Sequence, residues 1–136
     1  MKNQFVSYNM ALKIKELGFD EPCFGIWINR GTQVDVMYVA KQDDAWMAEQ
    51  NEGILAPIWQ QVLHWFREKH QIYIEVLTDC TTEPKFCFKI SKFVGNTKDL
   101  SELEWDWIQH DNVNWSLYYT YEEALEESIK EAIGII

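Results

Sequence analysis

The stretch P-I-W-Q-Q-V-L-H-W-F-R-E-K-H-Q-I-Y-I-E-V-L-T-D, residues 57–79, decides the fold because the spacing of its apolar residues changes partway along. Its first part repeats at helical spacing and predicts a helix over 57–69, with Pro57 in the first turn, where its missing N–H costs nothing. Its second part alternates with a period of two, which predicts a strand. The two sets are Trp59, Val62, Leu63 and Phe66, followed by Ile72, Ile74 and Val76. A helix leading directly into a half-buried strand favours an α+β fold.

A second strand follows that one. Residues 79–84 form a polar turn, and beyond it Phe86, Phe88 and Ile90 alternate with polar or small residues. Two alternating segments joined by a short turn predict an antiparallel hairpin with one buried face and one face partly in water.

The N-terminal part contains another helix and hairpin. Ser7 is a good N-cap for a helix over 8–17, and Gly18 can adopt the left-handed conformation that ends it. Strands are predicted over 23–29 and 33–40, with the turn between them. The polar segment 41–56 is expected to be a loop, and it carries the aromatic residue Trp46.

The C-terminal part is ambiguous at first and clear at its end. Residues 95–113 fit either a helix or a strand; we favour a strand at about 103–109, followed by a short strand over 115–119. Thr120 and Glu123 form a capping box that predicts a helix over 121–133. Its apolar stripe comprises Ala124, Leu125, Ile129, Ala132, Ile133 and Ile136.

These elements give the order α-β-β-α-β-β-(β)-β-α. The sequence therefore predicts one α+β domain over residues 1–136, built on an antiparallel sheet of five or six strands. Its three helices are expected mainly on one face of that sheet.

Composition indicates a folded, cytoplasmic protein. The chain has 136 residues, of which 47% are apolar and 15% aromatic, so it can build a full core without metal or disulfide support. No apolar run approaches the roughly 20 residues that cross a bilayer, and residues 1–10 do not resemble a signal peptide. The three cysteines, Cys23, Cys80 and Cys87, follow no paired spacing. We expect no membrane association.

The negative charge is concentrated in the last part of the chain. The net charge is −10; residues 1–98 hold twelve acids and eleven bases, whereas residues 99–136 hold ten acids and one base, Lys130. Such a segment repels phosphates, since nucleic-acid affinity comes largely from Lys and Arg. We expect no nucleic-acid binding, although the order of elements over 57–133 resembles that of a double-stranded-RNA-binding domain.

Three segments carry a resemblance to a known family. They are F-V-S-Y-N-M-A-L-K-I-K-E-L-G-F-D-E-P-C-F (5–24), A-P-I-W-Q-Q-V-L-H-W-F-R-E-K-H (56–70) and T-Y-E-E-A-L-E-E-S-I-K-E-A-I (120–133). Together they resemble a family of small uncharacterised proteins encoded in phages and other mobile elements of gut anaerobic bacteria. Residues 93–115 depart from the family pattern. The resemblance implies a phage or mobile-element origin and provides no catalytic residue.

Motifs for chemistry are missing from the sequence. It has neither of the glycine-rich nucleotide-binding patterns, and we expect no cofactor. Cys80, Cys87 and His110 could in principle hold a metal ion, but no spacing rule supports such a site. A Cys80 nucleophile would need a paired histidine and an exposed thiolate. Neighbouring carboxylates such as Glu102, Glu104 and Asp106 are more typical of a solvated surface. No catalytic or metal-binding residue is therefore predicted.

Two features stand above this background. Tryptophan and tyrosine are common anchors of protein interfaces. The candidate anchors are Trp46, Trp105, Trp107, Tyr118 and Tyr119. They favour a non-enzymatic protein-interaction module that binds an unknown protein or itself; the alternative is that they fill the core. The acidic segment suggests a second hypothesis, a nucleic-acid mimic that inhibits a host DNA-binding protein. A small enzyme of unrecognised type is the third.

Overall fold

The structure is a computed structural model that describes residues 2–31, 33–38, 48–49, 52–79, 85–93, 107–108 and 114–136. Its longer elements follow the order α-β-β-β-α-β-β-β-β-α. They are α1 (Tyr8–Glu16), β1 (Gly25–Asn29), β2 (Val34–Tyr38), β3 (Ile54–Leu55), α2 (Trp59–His70), β4 (Ile72–Asp79), β5 (Lys85–Phe93), β6 (Trp107–Ile108), β7 (Asn114–Tyr118) and α3 (Tyr121–Ile135). A single turn of 3-10 helix, Lys2–Gln4, precedes them. The chain is an α+β protein, as predicted.

The chain divides into two compact units, Met1–Val62 and Leu63–Ile136. The boundary falls inside α2, the helix with which the sequence argument began. Each unit contains its own antiparallel sheet. A single domain over residues 1–136 stays a prediction.

In the first unit, β1 is the central strand of three. It pairs antiparallel with β2 along its whole length, from Gly25 opposite Tyr38 to Asn29 opposite Val34, which confirms the predicted hairpin. Its other edge pairs with β3, so that Ile26 lies opposite Leu55. The segment 41–56 was expected to be a loop; the strand at its end corrects that prediction for these two residues.

Helix α1 begins and ends as its caps predict. The Ser7 hydroxyl accepts a hydrogen bond from the Met10 N–H at 3.4 Å. At the other end Gly18 has φ of 94°, and the Phe19 N–H donates to the Ile14 carbonyl at 3.1 Å. The bond from Phe19 to Ile14 is characteristic of a Schellman motif, which satisfies carbonyl groups in the last turn of the helix. The chain therefore turns sharply at Gly18 and leaves Phe19 buried.

Helix α2 begins two residues later than predicted. The Gln61 side chain accepts from the Ile58 N–H at 3.2 Å and so caps the helix ahead of Trp59. Ile58 itself forms a bridge with Phe5 rather than a helical turn. Gln71, with φ of 55°, ends the helix in the left-handed region. Local hydrogen bonding therefore decides where this helix starts.

In the second unit, β5 is the central strand. It pairs antiparallel with β4 through eight residue pairs, from Ile72 opposite Lys92 to Asp79 opposite Lys85, which confirms the second hairpin. β6 and β7 both pair with its other edge: Trp107 lies opposite Phe93, and Tyr118 lies opposite Phe86. The predicted strands near 107 and 115–119 are thus present. The other residues of 103–109 lie outside the described part.

Helix α3 packs on one face of this second sheet, against β4 and β5. The Thr120 hydroxyl accepts from the Glu123 N–H at 3.1 Å, as the capping box predicts. The reciprocal bond differs from the prediction, because the Glu123 side chain accepts from the Tyr119 N–H at 3.3 Å where the capping box would use the Thr120 N–H. Its buried residues are Ala124, Leu125, Ser128, Ile129 and Ala132. At the C-terminus, Lys92 donates to the Ile135 carbonyl at 3.2 Å, where a cation offsets the helix dipole.

The predicted single sheet of five or six strands is not confirmed. The described strands form two sheets, one of three strands and one in which four strands occupy three positions across the sheet. The short strand Ile54–Leu55 takes the second edge of β1, so the first hairpin completes a sheet of its own. The described strands therefore form a separate sheet in each unit.

Candidate interaction surface

Strand alternation gives the second sheet two different faces. We call the face toward α3 the inner face; its residues Ile72, Phe88 and Ile90 are buried. Alternate residues point the other way, to the outer face. On β4 these are Tyr73, Glu75 and Leu77, and all three are exposed. The outer face is therefore a solvent-facing surface with apolar side chains on it.

Tyr118 belongs to the inner face. Its ring stacks against Phe88 with centroids 6.0 Å apart, and on the same face Tyr121 meets Phe86 edge-on at 6.1 Å. Burial raises the pKa of the Tyr118 phenol, and the carboxylates of Glu127 and Glu131 on α3 raise it further, against an opposing effect of Lys130. Tyr118 thus packs with the aromatic residues of the core between the second sheet and α3.

Leu117 and Tyr119 flank Tyr118 in sequence and therefore point to the outer face. Leu117 is 41% exposed and Tyr119 is 76% exposed, the largest exposed fraction among the large apolar side chains described. The Lys85 ammonium lies 5.8 Å from the centre of the Tyr119 ring. This distance is within the range of a cation–π contact. A side chain of β5 thus contacts the Tyr119 ring.

Apolar side chains are concentrated on this outer face. We call Tyr73, Leu77, Leu117 and Tyr119 the outer patch. In the described part of the chain, eight large apolar side chains are exposed, and four of them belong to the outer patch. Leu77 lies opposite Cys87, whose thiol is buried although it is on the same face. Apolar residues that gather on one exposed face mark a binding surface more strongly than scattered ones do.

The charges near the outer patch are mixed. Glu75 lies directly opposite Lys89, and Lys85 lies beside Tyr119. Helix α3, on the other side of the sheet, holds five glutamates and one lysine. That lysine, Lys130, contacts Glu127 at 2.5 Å and Glu126 at 3.8 Å. Among the described residues of this unit, the glutamates of α3 and the outer patch are therefore on opposite sides of the sheet.

Of the five predicted interface residues, two have described side chains, Tyr118 and Tyr119, and of these two Tyr119 is on the outer patch. Trp46 and Trp105 lie outside the described residues, as does the side chain of Trp107, whose backbone belongs to β6. Tyr118 lies on the inner face. Tyr73, Leu77 and Leu117 are not among the interface residues predicted from the sequence. The alternation in 72–77 contained the signal, because it places Tyr73 and Leu77 on the face of β4 opposite to that of the buried Ile72.

The chemical candidates have no structural support in the described part of the chain. No three histidine, cysteine or acidic side chains there come together to hold a metal ion. Cys80, His110, Glu102, Glu104 and Asp106 lie outside those residues. Cys23 and Cys87 are buried thiols. Among the helices described, none has the length and apolar character needed to cross a bilayer.

Comparison with known proteins gives no relative. No family model matches the chain, and neither a curated protein nor a solved structure does. The resemblance to phage and mobile-element proteins, carried by 5–24, 56–70 and 120–133, therefore stays a prediction. What this chain binds has to be inferred from its own surface.

Proposed function

We propose that this protein is a non-enzymatic protein-interaction module and that it binds a separate, basic protein through the outer patch. The observation that supports the proposal is the grouping of four exposed apolar side chains on one face of the second sheet. The origin in a phage or mobile element is part of the proposal and rests on the sequence resemblance alone.

Tyr119 is the proposed anchor. Tyrosine offers a large contact area and loses little conformational freedom on binding. Interface energy concentrates in a few such residues, whose truncation costs about 2 kcal/mol or more. Leu117 precedes Tyr119 on β7 and is also exposed, so a partner that covers one ring also covers an aliphatic neighbour. Tyr73 and Leu77 extend the same surface along β4.

The net charge favours a basic partner over a second copy. Two chains of net charge −10 repel each other, whereas a protein of opposite charge is attracted over several ångströms before contact. Long-range attraction of this kind mainly raises the association rate. In this scheme the acidic surface speeds encounter, and the apolar surface holds the complex together.

The test is quantitative binding of a captured partner. The protein is immobilised, partners are captured from a lysate of the source cells, and the purified complex is measured by biolayer interferometry. Tyr119→Ala and Leu117→Ser should each weaken binding, Tyr119→Ala by about 30-fold, which corresponds to about 2 kcal/mol. Phe24→Ala is the matched control, because Phe24 is an exposed aromatic residue of the first unit.

The salt dependence separates this proposal from the nucleic-acid mimic. An apolar complex should associate more slowly as salt rises from about 0.15 M to about 1 M, with little change in its dissociation rate. A mimic held by carboxylates should dissociate under the same conditions. Binding that tolerates both patch substitutions yet is lost in salt would reject the interaction module in favour of the mimic. Self-association that depends on Tyr119 would instead reject the separate partner.

A further inference from the structure

The first unit contains a cavity that the proposed function does not use. Its volume is about 400 Å³. The floor is apolar, because the lining residues Ala11, Phe19, Ala48 and Ile54 are all buried. Small-molecule sites in proteins usually measure about 300–1,000 Å³ and have mainly apolar walls. The cavity therefore fits a small molecule with an apolar body.

The charged lining residues are at the mouth of the cavity. Lys15, Asp20 and Glu49 all contribute to the lining and are all exposed. Among the described lining residues, the charged groups are thus two carboxylates and one ammonium group. This arrangement complements a ligand with a positive charge at one end, and it opposes a ligand whose only charge is negative.

Local backbone geometry shapes one wall. Lys15 is four residues after Ala11 on α1, so the two share a helix face. The left-handed turn at Gly18 ends the helix and directs the chain back so that Phe19 and Asp20 line the same cavity. The Schellman hydrogen bonds at this turn fix that wall.

The opposite wall depends on Gly53. Its N–H donates to the Ala48 carbonyl at 2.8 Å, which holds Ala48 and Glu49 close to β3. A Cβ at this position would lie 2.8 Å from the Trp27 carbonyl oxygen, closer than real contacts allow. Only glycine fits here without a shift of the backbone. Both walls are thus set by main-chain hydrogen bonds within the unit.

We propose that this cavity binds a small organic amine, with its apolar body on the floor and its protonated nitrogen beside Asp20 and Glu49. This site is independent of the outer patch, and neither proposal depends on the other. The predicted ligand class is a primary amine attached to an aromatic or branched aliphatic group.

The test uses three probes with one apolar body and different charges. Phenethylamine, 2-phenylethanol and 3-phenylpropanoate are titrated separately into the full-length protein, and methyl NMR signals report binding. Phenethylamine should shift signals of Ala11, Ile54 and Leu55, which line the cavity. It should bind about two- to fivefold more tightly than 3-phenylpropanoate, a difference typical of one exposed ion pair.

Charge variants test the role of the mouth. The double change Asp20→Asn and Glu49→Gln should remove the preference for the amine and leave 2-phenylethanol binding unchanged. Glu68→Gln with Glu75→Gln is the matched control, because it removes two charges from exposed residues that do not line the cavity. Equal or tighter binding of 3-phenylpropanoate to the unaltered protein would overturn the proposal. Shifts confined to other residues, or no binding of any probe at millimolar concentration, would also overturn it.

Discussion

At the scale of single residues, buried polar atoms show how the tryptophans are used. The Trp27 indole N–H donates to the Val6 carbonyl at 3.0 Å within the buried part of the first unit. The Trp59 indole N–H reaches the Asn3 carbonyl at 2.8 Å. Both rings also fill the core, since Trp27 is 5% and Trp59 is 8% exposed. Their two hydrogen bonds hold the N-terminal segment against the rest of the first unit. Both tryptophans are therefore structural rather than interface residues.

Substitution of Trp27 by Phe should be costly. It removes the donor and leaves the buried Val6 carbonyl without this hydrogen bond, so we expect a loss of about 1–3 kcal/mol in unfolding free energy. Chemical denaturation measures it. Ser128→Ala is the comparison, because the Ser128 hydroxyl donates at 2.6 Å to the Leu125 carbonyl, a helix carbonyl that also accepts a main-chain bond. That change should cost under about 0.5 kcal/mol; equal losses would contradict this account.

His70 makes stability depend on pH. Its Nε2 atom is buried and has no hydrogen-bond partner among the described residues, and its ring centre lies 4.5 Å from that of Trp65. Burial lowers the pKa of His70 below its ordinary value of 6.5, and the charge of Lys92 lowers it further. Protonation therefore favours the unfolded state. This contribution to stability is complete above pH 6.5 and is lost as the pH falls toward the lowered folded-state pKa.

The prediction for His70 concerns the slope of stability against pH. Between about pH 7 and about pH 5, the unfolding free energy should fall more steeply for the unaltered protein than for His70→Gln. His64→Gln is the comparison variant, since His64 is an exposed histidine on the same helix. Urea denaturation across this range measures both. A His70→Gln slope equal to that of the unaltered protein would show that the ring does not titrate as described.

At the scale of secondary structure, the C-terminal helix has the most complete set of local signals. The cap, the apolar stripe and the glutamates of the solvent side all agree in 120–136. The structure confirms the threonine cap and buries Ala124, Leu125, Ile129 and Ala132, whereas Ile136, which was predicted to belong to the stripe, lies after the helix and is exposed. Leu125 is 2% exposed, and Ile129 is fully buried. The stripe packs on the inner face of the second sheet. Packing of that stripe should therefore stabilise α3 more than intrinsic propensity does.

Leu125→Ala should cost about 2–5 kcal/mol, because it removes a buried side chain and leaves space that neighbours only partly fill. Thermal or denaturant unfolding gives the value. Ile136→Ala is the control, since Ile136 is 44% exposed and should cost far less. A loss below about 0.5 kcal/mol for Leu125→Ala would mean that the stripe does not pack as the structure has it.

Thr120→Ala tests the cap separately from the stripe. The Thr120 hydroxyl accepts from the Glu123 N–H, so its removal leaves a free donor in the first helical turn. We expect a loss of about 0.5–2 kcal/mol. Glycine at the same position should cost only a few tenths of a kcal/mol relative to threonine, as N-cap glycine usually does. An alanine variant as stable as the parent would remove the cap from the account.

The two hairpins and α3 could be predicted because each depends on residues near one another in sequence. β3 could not, since Ile54 and Leu55 become a strand only by pairing with Ile26 and Trp27. Strand pairing between distant segments also decides how many sheets form, so correct hairpins do not determine the number of sheets, and the single sheet is not confirmed among the described strands. Within the candidate site, Tyr119 was selected and Tyr118 was grouped with it. Alternation along β7 places Tyr118 and Tyr119 on different faces of the sheet. Assigning each tyrosine to its face required the bounds of the strand.

At the scale of the whole molecule, charge and apolar surface are distributed unevenly. The net charge of the chain is −10, and residues 99–136 hold ten acidic residues and one basic residue. In the described part, α3 presents glutamates on one side of the second sheet and the outer patch lies on the other. We therefore propose that a basic partner is attracted by the net charge of the molecule and held at one surface. The central claim is that the contact itself is made by the outer patch.

Hydroxyl-radical footprinting of the captured complex tests that claim most directly, because it reports side-chain exposure residue by residue. In the complex, oxidation of Tyr73, Leu77, Leu117 and Tyr119 should fall several-fold. Oxidation of Phe24 and Tyr38, whose side chains are 50% and 52% exposed in the first unit, should not change. Protection of Tyr121 and the exposed side of α3, with the outer patch still oxidised at its free rate, would contradict the account and place the partner on the acidic face.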